Sequence, residues 1–183
     1  MKKTALILVD IQNDYFPGGK FEQNGAEVSA DNAAKVMKKF REKKIPVIHV
    51  RHESLNGRSG FFQPGTHGAE IHNSVTPVKG EKTVLKHFPN SFRETDLEQE
   101  LHSIGVERVV IAGMMTFMCI DATARAAYDL GFDVVVLGDA CAARSLEFQG
   151  VEIPASHVHA SFLAALKMVY AEVVKTDVFI KSL

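Results

Sequence analysis

The chain has 183 residues, 46% hydrophobic and 23% charged, with a formal net charge of −1. Such a length suits one domain, here taken as 1–183, with room for a substantial core, and the composition excludes a disordered chain. The balanced charge gives no electrostatic case for nucleic acid or a membrane surface as partner, and no apolar stretch approaches the roughly 18 residues a membrane span needs.

The chain opens with MKKTALILVDIQND. Its apolar run, Ala5 to Val9, is too short for a signal-peptide core and ends in Asp10, so it reads as a buried first strand over Thr4 to Asp10. Pro17, Gly18 and Gly19 mark a turn. Val28 to Lys44 has a helical pattern, with Ala33, Val36, Met37 and Phe40 on one face. Ile45 to Val50 predicts a second strand. Arg51 to Glu81 is a long irregular stretch punctuated by Gly57, Gly60, Pro64, Gly65, Gly68, Pro77 and Gly80; such a loop inside a compact domain is usually functional. Thr83 to Lys86 follows as a third strand. Thr95 to Ile104 predicts a helix, with Thr95 and Glu98 spaced as a capping box. Arg108 to Ala112 is a fourth strand, Ile120 to Leu130 a helix stopped by Gly131, and Phe132 to Leu137 a fifth strand closed by Gly138 and Asp139. Pro154 to Tyr170 is a late helix and Glu172 to Thr176 a sixth strand.

This alternation predicts an α/β protein: a three-layer αβα, Rossmann-like arrangement with a six-stranded, mostly parallel sheet and helices on both faces. Sites in such folds lie beyond the carboxyl ends of the strands. Asp10 ends the first strand, Lys86 ends the third, and Cys119 lies in the turn leaving the fourth. Three reactive side chains therefore gather at one rim. Cys119 stands where a helix begins, where the macrodipole favours thiolate and free backbone N–H groups can stabilise an oxyanion; its competing reading is an inert buried thiol. Asp10 reads as a general base or as a loop-capping carboxylate. Lys86 alone reads as a solvated strand-end lysine; beside the other two, its charge would stabilise thiolate and carboxylate. Asp14 reads as the residue that holds the DYFPGG turn. Two cysteines, Cys119 and Cys141, without a CxxC, are too few for a disulfide framework, which suits a cytoplasmic protein.

Four segments carry a resemblance: LILVDIQNDYFPGG, THGAEI, VLKHFPNSFRETDLEQEL, and VIAGMMTFMCIDATARAAYDLGFDVVVLGDA. Together they resemble the isochorismatase-like cysteine hydrolases, which include isochorismatases, nicotinamidases and N-carbamoyl amidohydrolases. The resemblance implies a catalytic triad at Asp10, Lys86 and Cys119. It also implies a cis peptide joining Met114 to Met115, and an oxyanion hole from the backbone N–H groups of Met115 and Cys119. The family's members differ in chemistry and the triad does not choose among them; acyl-enzyme chemistry fits most directly the hydrolysis of a small amide or carbamoyl C–N bond through a covalent Cys119 intermediate. Vinyl-ether cleavage, nicotinamidase activity and a non-catalytic small-molecule binder retaining the fold stand as alternatives.

The resemblance also frames what the site contains. Nicotinamidases hold a metal with an Asp and several histidines after the second strand. The equivalent HVRHES lacks that arrangement, and His49, His52, His67, His72 and His87 match no ligand spacing, so no metal and no cofactor are expected. His157 and His159 read as surface or interface residues. Family pockets suggest Gln12, Phe16, Phe62, Phe88, Phe117 and Met118 around the substrate; Gln12 reads equally as a residue that orients Asp10. Arg51 and Arg144 read as surface ion-pair residues, with recognition of a substrate carboxylate as the alternative. Relatives are homodimers or homotetramers, and an oligomer is expected by analogy. The pattern Phe162, Leu163, Leu166 and Val169 fits either that interface or the core.

Overall fold

A computed structural model describes residues 2–55 and 60–183; Gly57, one of the loop glycines, lies outside them. Among the described residues, six parallel strands form a sheet in the order β3-β2-β1-β4-β5-β8. They are β1 (Thr4–Val9), β2 (Val47–His52), β3 (Lys82–Lys86), β4 (Arg108–Met114), β5 (Asp133–Ala142) and β8 (Glu172–Val174). β1 pairs with β2 from Leu6↔Val47 to Val9↔Val50, and with β4 from Thr4↔Arg108 to Val9↔Gly113.

The central strand explains the layering. Side chains alternate across a strand, and here both faces are covered, so all of Ala5 to Val9 is apolar and buried. Leu6 and Leu8 enter one core with Ala33, Val36, Met37 and Phe40 of α1 (Ala26–Glu42). Ala5, Ile7 and Val9 enter the other. That second core takes Leu97 and Leu101 of α2 (Leu97–Ser103), Ala124 and Ala127 of α3 (Asp121–Asp129), and Leu166 of α4 (Ala155–Val169).

Several boundaries differ from the sequence reading. β5 does not stop at Leu137. It runs on to Ala142 because β4 extends to Met114 and pairs with it there, Gly113↔Cys141 and Met114↔Ala142, after a register shift. Thr176 does not close a strand. It opens a further helix, α5 (Thr176–Ser182), whose Phe179 packs on Phe40 with ring centroids 6.2 Å apart; Asp139 Oδ1 accepts from both the backbone N–H and the hydroxyl of Thr176, each at 2.7 Å. β6 (Leu146–Phe148) and β7 (Val151–Ile153) form an antiparallel ribbon around Gln149–Gly150, both at positive φ, the backbone a two-residue hairpin requires. The expected capping box is absent: Asp96 stands at the N-cap position of α2 without a side-chain hydrogen bond to the helix, while the Thr95 hydroxyl donates to Ser91 O at 2.6 Å. In α4 Leu166 is buried, whereas Val169 and Met168 are exposed. No described helix is long and apolar enough to cross a membrane.

Candidate active site

The carboxyl-end rim of the sheet brings Asp10, Lys86 and Cys119 together. Asp10 follows β1 with φ +51°, and its N–H still bonds Val50 O at 2.9 Å. That left-handed turn, uncommon for a side chain with a Cβ, takes the chain out of the sheet directly at the carboxylate. Lys86 is the last residue of β3. Asp10 and Lys86 are both fully buried, and Cys119 nearly so.

Lys86 Nζ is the hub. It stands 2.7 Å from Asp10 Oδ2, 3.3 Å from Cys119 Sγ, 3.0 Å from Phe88 O and 3.1 Å from His52 Nδ1. Burial disfavours its charge, but Asp10 and Cys119 outweigh that and raise its pKa, so the ammonium persists. Asp10 Oδ2 is its closest contact, a fully buried ion pair. The carboxylate is thus balanced in charge and also faces the Cys119 thiol. Burial, and then the Asp10 charge, push the Cys119 thiol well above its ordinary pKa, with Lys86 opposing. At rest the sulfur therefore keeps its proton beside the carboxylate. This corrects the helix-start argument, in which the dipole alone would yield thiolate. The helical run also begins earlier than expected: Thr116–Ile120 form a π-helical turn that leads into α3, so Cys119 sits about a turn inside it.

The Met114–Met115 peptide is cis, as the resemblance implied. Thr116, fully buried, donates to Ala142 O at 3.0 Å and contacts His159 Nδ1 at 2.8 Å. β5 and α4 thus hold the turn that presents Cys119.

The isochorismatase domain profile matches residues 4–176. The chain belongs to the isochorismatase family. It is 48% identical over 178 residues to the isochorismatase family protein YddQ of Bacillus subtilis, covering 97% of this chain and 99% of the relative. Its fold matches the crystal structure of an isochorismatase hydrolase from Oleispira antarctica with a TM-score of 0.95 and 49% identity, over 98% of this chain and 97% of the other. It also matches N-carbamoylsarcosine amidase from Thermoplasma acidophilum, with a TM-score of 0.83 and 26% identity over 96% and 97% of the two chains. The protein is an isochorismatase-family hydrolase.

Within this hydrolase the expected substrate residues divide. Gln12 is fully buried. Its amide donates to His52 O and Ala69 O, both at 2.8 Å, and its Oε1 accepts from the His52 N–H at 2.7 Å. Both amide protons are engaged by backbone, so Gln12 ties the ends of β1 and β2 to the middle loop and has none left for a substrate. Phe62 is likewise fully buried, 4.6 Å from the Tyr15 ring and 6.1 Å from the His52 ring. Phe16 stacks on His72 at 3.6 Å. Phe117 is half-buried and Met118 is 41% exposed, on the turn that carries Cys119. Phe88 contributes its carbonyl to Lys86, and Arg93 covers its ring at 3.7 Å.

Asp14 holds the turn after β1, accepting from Lys20 N at 3.2 Å and from Phe62 N at 2.7 Å. Gly68 is needed beside it, because a Cβ there would collide with the Asp14 carboxylate. Arg51 pairs with Glu53 at 2.6 Å, while Arg144 lies over Phe21 at 4.3 Å instead of forming the expected ion pair.

Three residues of the site carried no chemical assignment in the sequence. His52 contacts Lys86, and His159, expected at the surface, is half-buried against Thr116. Tyr15 is buried, with its phenol pKa raised first by burial and then by Cys119, Asp10 and Asp14, so it stays protonated near the site. Only strand register could have exposed His52: it is the direct cross-strand partner of Lys86. Among the described residues, no three His, Cys, Asp or Glu side chains converge so as to hold a metal ion.

Proposed function

We propose that the protein hydrolyses a C–N bond of a small amide or carbamoyl compound, with Cys119 as nucleophile. The observation that carries this reading is the buried Asp10 carboxylate set against both an ammonium and a protonated thiol. Asp10 takes the Cys119 proton as the sulfur attacks the substrate carbonyl carbon, forming a C–S bond. The carbonyl π electrons move to oxygen, and the N–H groups of Met115 and Cys119 receive that oxyanion. Lys86 balances the negative charge, which moves from the carboxylate to the sulfur and onward. When the tetrahedral intermediate collapses, the C–N bond breaks and protonated Asp10 delivers its proton to the leaving amine. Water, deprotonated by Asp10, then attacks the thioester carbonyl, and the C–S electrons return to sulfur with that proton. Protein groups supply every proton transfer, so the scheme needs no metal. The amidase among the structural relatives supports C–N cleavage.

The test is intact-protein mass spectrometry of wild type and Cys119→Ala with small amides, carbamoyl acids and isochorismate, with product analysis on the same samples. Acyl adduct and turnover of an amide or carbamoyl acid by wild type alone is the expected result. Turnover of isochorismate alone would replace C–N hydrolysis with vinyl-ether cleavage. A folded Cys119→Ala variant with full turnover would remove Cys119 from the chemistry.

A further inference from the structure

We infer that His52 is a positioning residue that holds the Lys86 ammonium against Asp10 and Cys119. The inference rests on Cys119 being the nucleophile and Asp10 its base. An ammonium has three protons, and four acceptors surround Lys86 Nζ: His52 Nδ1, Phe88 O, Cys119 Sγ and Asp10 Oδ2. Asp10 Oδ2 is the closest of them, at 2.7 Å. His52 Nδ1 and Phe88 O together hold the ammonium where it reaches both the carboxylate and the sulfur. Without the Nδ1 acceptor the ammonium is free to turn away from that pair.

The backbone places His52 for this task. His52 and Lys86 are Cα partners at the ends of β2 and β3. The Gln12 side chain clamps the His52 backbone on both sides, taking its N–H and capping its C=O. The ring is also flanked by Phe62, with centroids 6.1 Å apart. Accepting from an ammonium requires a neutral imidazole with Nδ1 unprotonated. The charged and titratable groups facing the ring are Lys86 of β3, Asp10 after β1 and His87 after β3. Burial, followed by Lys86, lowers the His52 pKa to about 4, and Asp10 does not reverse this. The acceptor form therefore holds throughout the neutral range.

The test compares wild type with His52→Phe, which keeps a ring but loses the acceptor, and His52→Asn, whose Oδ1 can stand in for Nδ1. The first readout is the iodoacetamide alkylation rate of Cys119 from pH 5 to 9, with peptide mapping to separate it from Cys141. The second is the split between kcat and KM on whatever substrate the panel yields. His52→Phe should slow alkylation and kcat about tenfold at neutral pH, a fraction of what a general base contributes, with KM unchanged and His52→Asn restoring most of the loss. Should His52→Phe fail to fold, His52→Asn against His52→Gln decides, since Gln carries its oxygen one bond too far: Asn active and Gln impaired supports the role, and equal behaviour overturns it. Wild-type alkylation by His52→Phe, or no rescue by His52→Asn, also overturns it while leaving Cys119 as nucleophile. If Asp10→Asn alkylates at the wild-type rate, the base assignment itself falls, and the role of His52 with it.

Discussion

Replacing Lys86 with Met tests whether Lys86 is a structural counter-ion as well as a catalytic one. Both charges of the Asp10–Lys86 pair are fully buried, 2.7 Å apart. Met fills a similar volume and removes only the charge, which leaves the Asp10 carboxylate in the core with no cation to balance it. Breaking a buried pair in this way costs about 3–5 kcal/mol. At roughly 2–4 °C per kcal/mol for a chain of this length, the melting temperature should fall by roughly 6–20 °C in a calorimetric scan at pH 7. The double variant Asp10→Asn/Lys86→Met removes both charges and should regain most of that loss, because the penalty belongs to the unpaired partner. Neither variant should turn over substrate. A single variant that melts within 2 °C of wild type, or a double variant no better than the single, would show that the pair adds nothing to stability and that Asp10 is not the buried anion described here.

Acid should destabilise the fold in two windows. The unfolded chain takes up a proton at His52 near pH 6.5, and the folded protein only near 4, so stability is full above about 6.5 and is lost as pH falls towards 4. That gap bounds the loss near ~3 kcal/mol, and partial exposure of the ring reduces it to about 1–2 kcal/mol; urea midpoints between pH 7 and 4.5 should fall less steeply in His52→Asn. Glu81 works lower. Burial raises its pKa, but Arg41, the Val78 N–H and His49 overcome this and hold it at about 2 against an ordinary 4.5, so its contribution is complete above 4.5 and disappears towards pH 2. Glu81→Gln should lower stability at pH 7 by about 1–3 kcal/mol through its two 2.7 Å contacts with Arg41, and much less at pH 2.5. Gly113→Ala should abolish soluble folded protein, since a Cβ there meets the Val9 backbone at φ +132°; wild-type yield and melting temperature would refute this. Activity should survive dialysis against a chelator, and a loss restored by added zinc or iron would refute the metal-free scheme.

How much of this was legible in the sequence depended on whether the signal was local. Strand alternation, the Gly131 stop and the apolar face of α1 are read within one segment, and each falls close to its expected place. The meeting of Asp10, Lys86 and Cys119 was reachable as well, because each sits at or shortly after a strand end and parallel sheets gather such ends at one rim. What escaped was set by pairing between segments. β5 runs past Gly138 and Asp139 only because β4 offers Met114 as a partner for Ala142. Gln12 looked like a ligand amide until His52 and Ala69 claimed its protons. The packing of Phe62 on Tyr15 was equally beyond the reach of either segment alone.

His52 shows the same limit most sharply. Taken alone, a histidine at the end of a strand is ordinary, and five histidines across the first half of the chain pointed only to a metal question. Its place beside Lys86 comes from the β2–β3 register, and its protonation state comes from the burial and the ammonium that the register imposes. Shifting that register by one residue would turn the His52 side chain to the opposite face of the sheet, leaving the Lys86 ammonium without the acceptor that steadies it. The arrangement of the rim is therefore a property of strand pairing as much as of the three side chains gathered there. Substitutions in the clamp that fixes the end of β2 should accordingly reach the thiol without touching it: Gln12→Leu, which frees the His52 backbone, should slow Cys119 alkylation in the same direction as His52→Phe, and an unchanged rate in a folded Gln12→Leu protein would show that register at the rim does not depend on this amide.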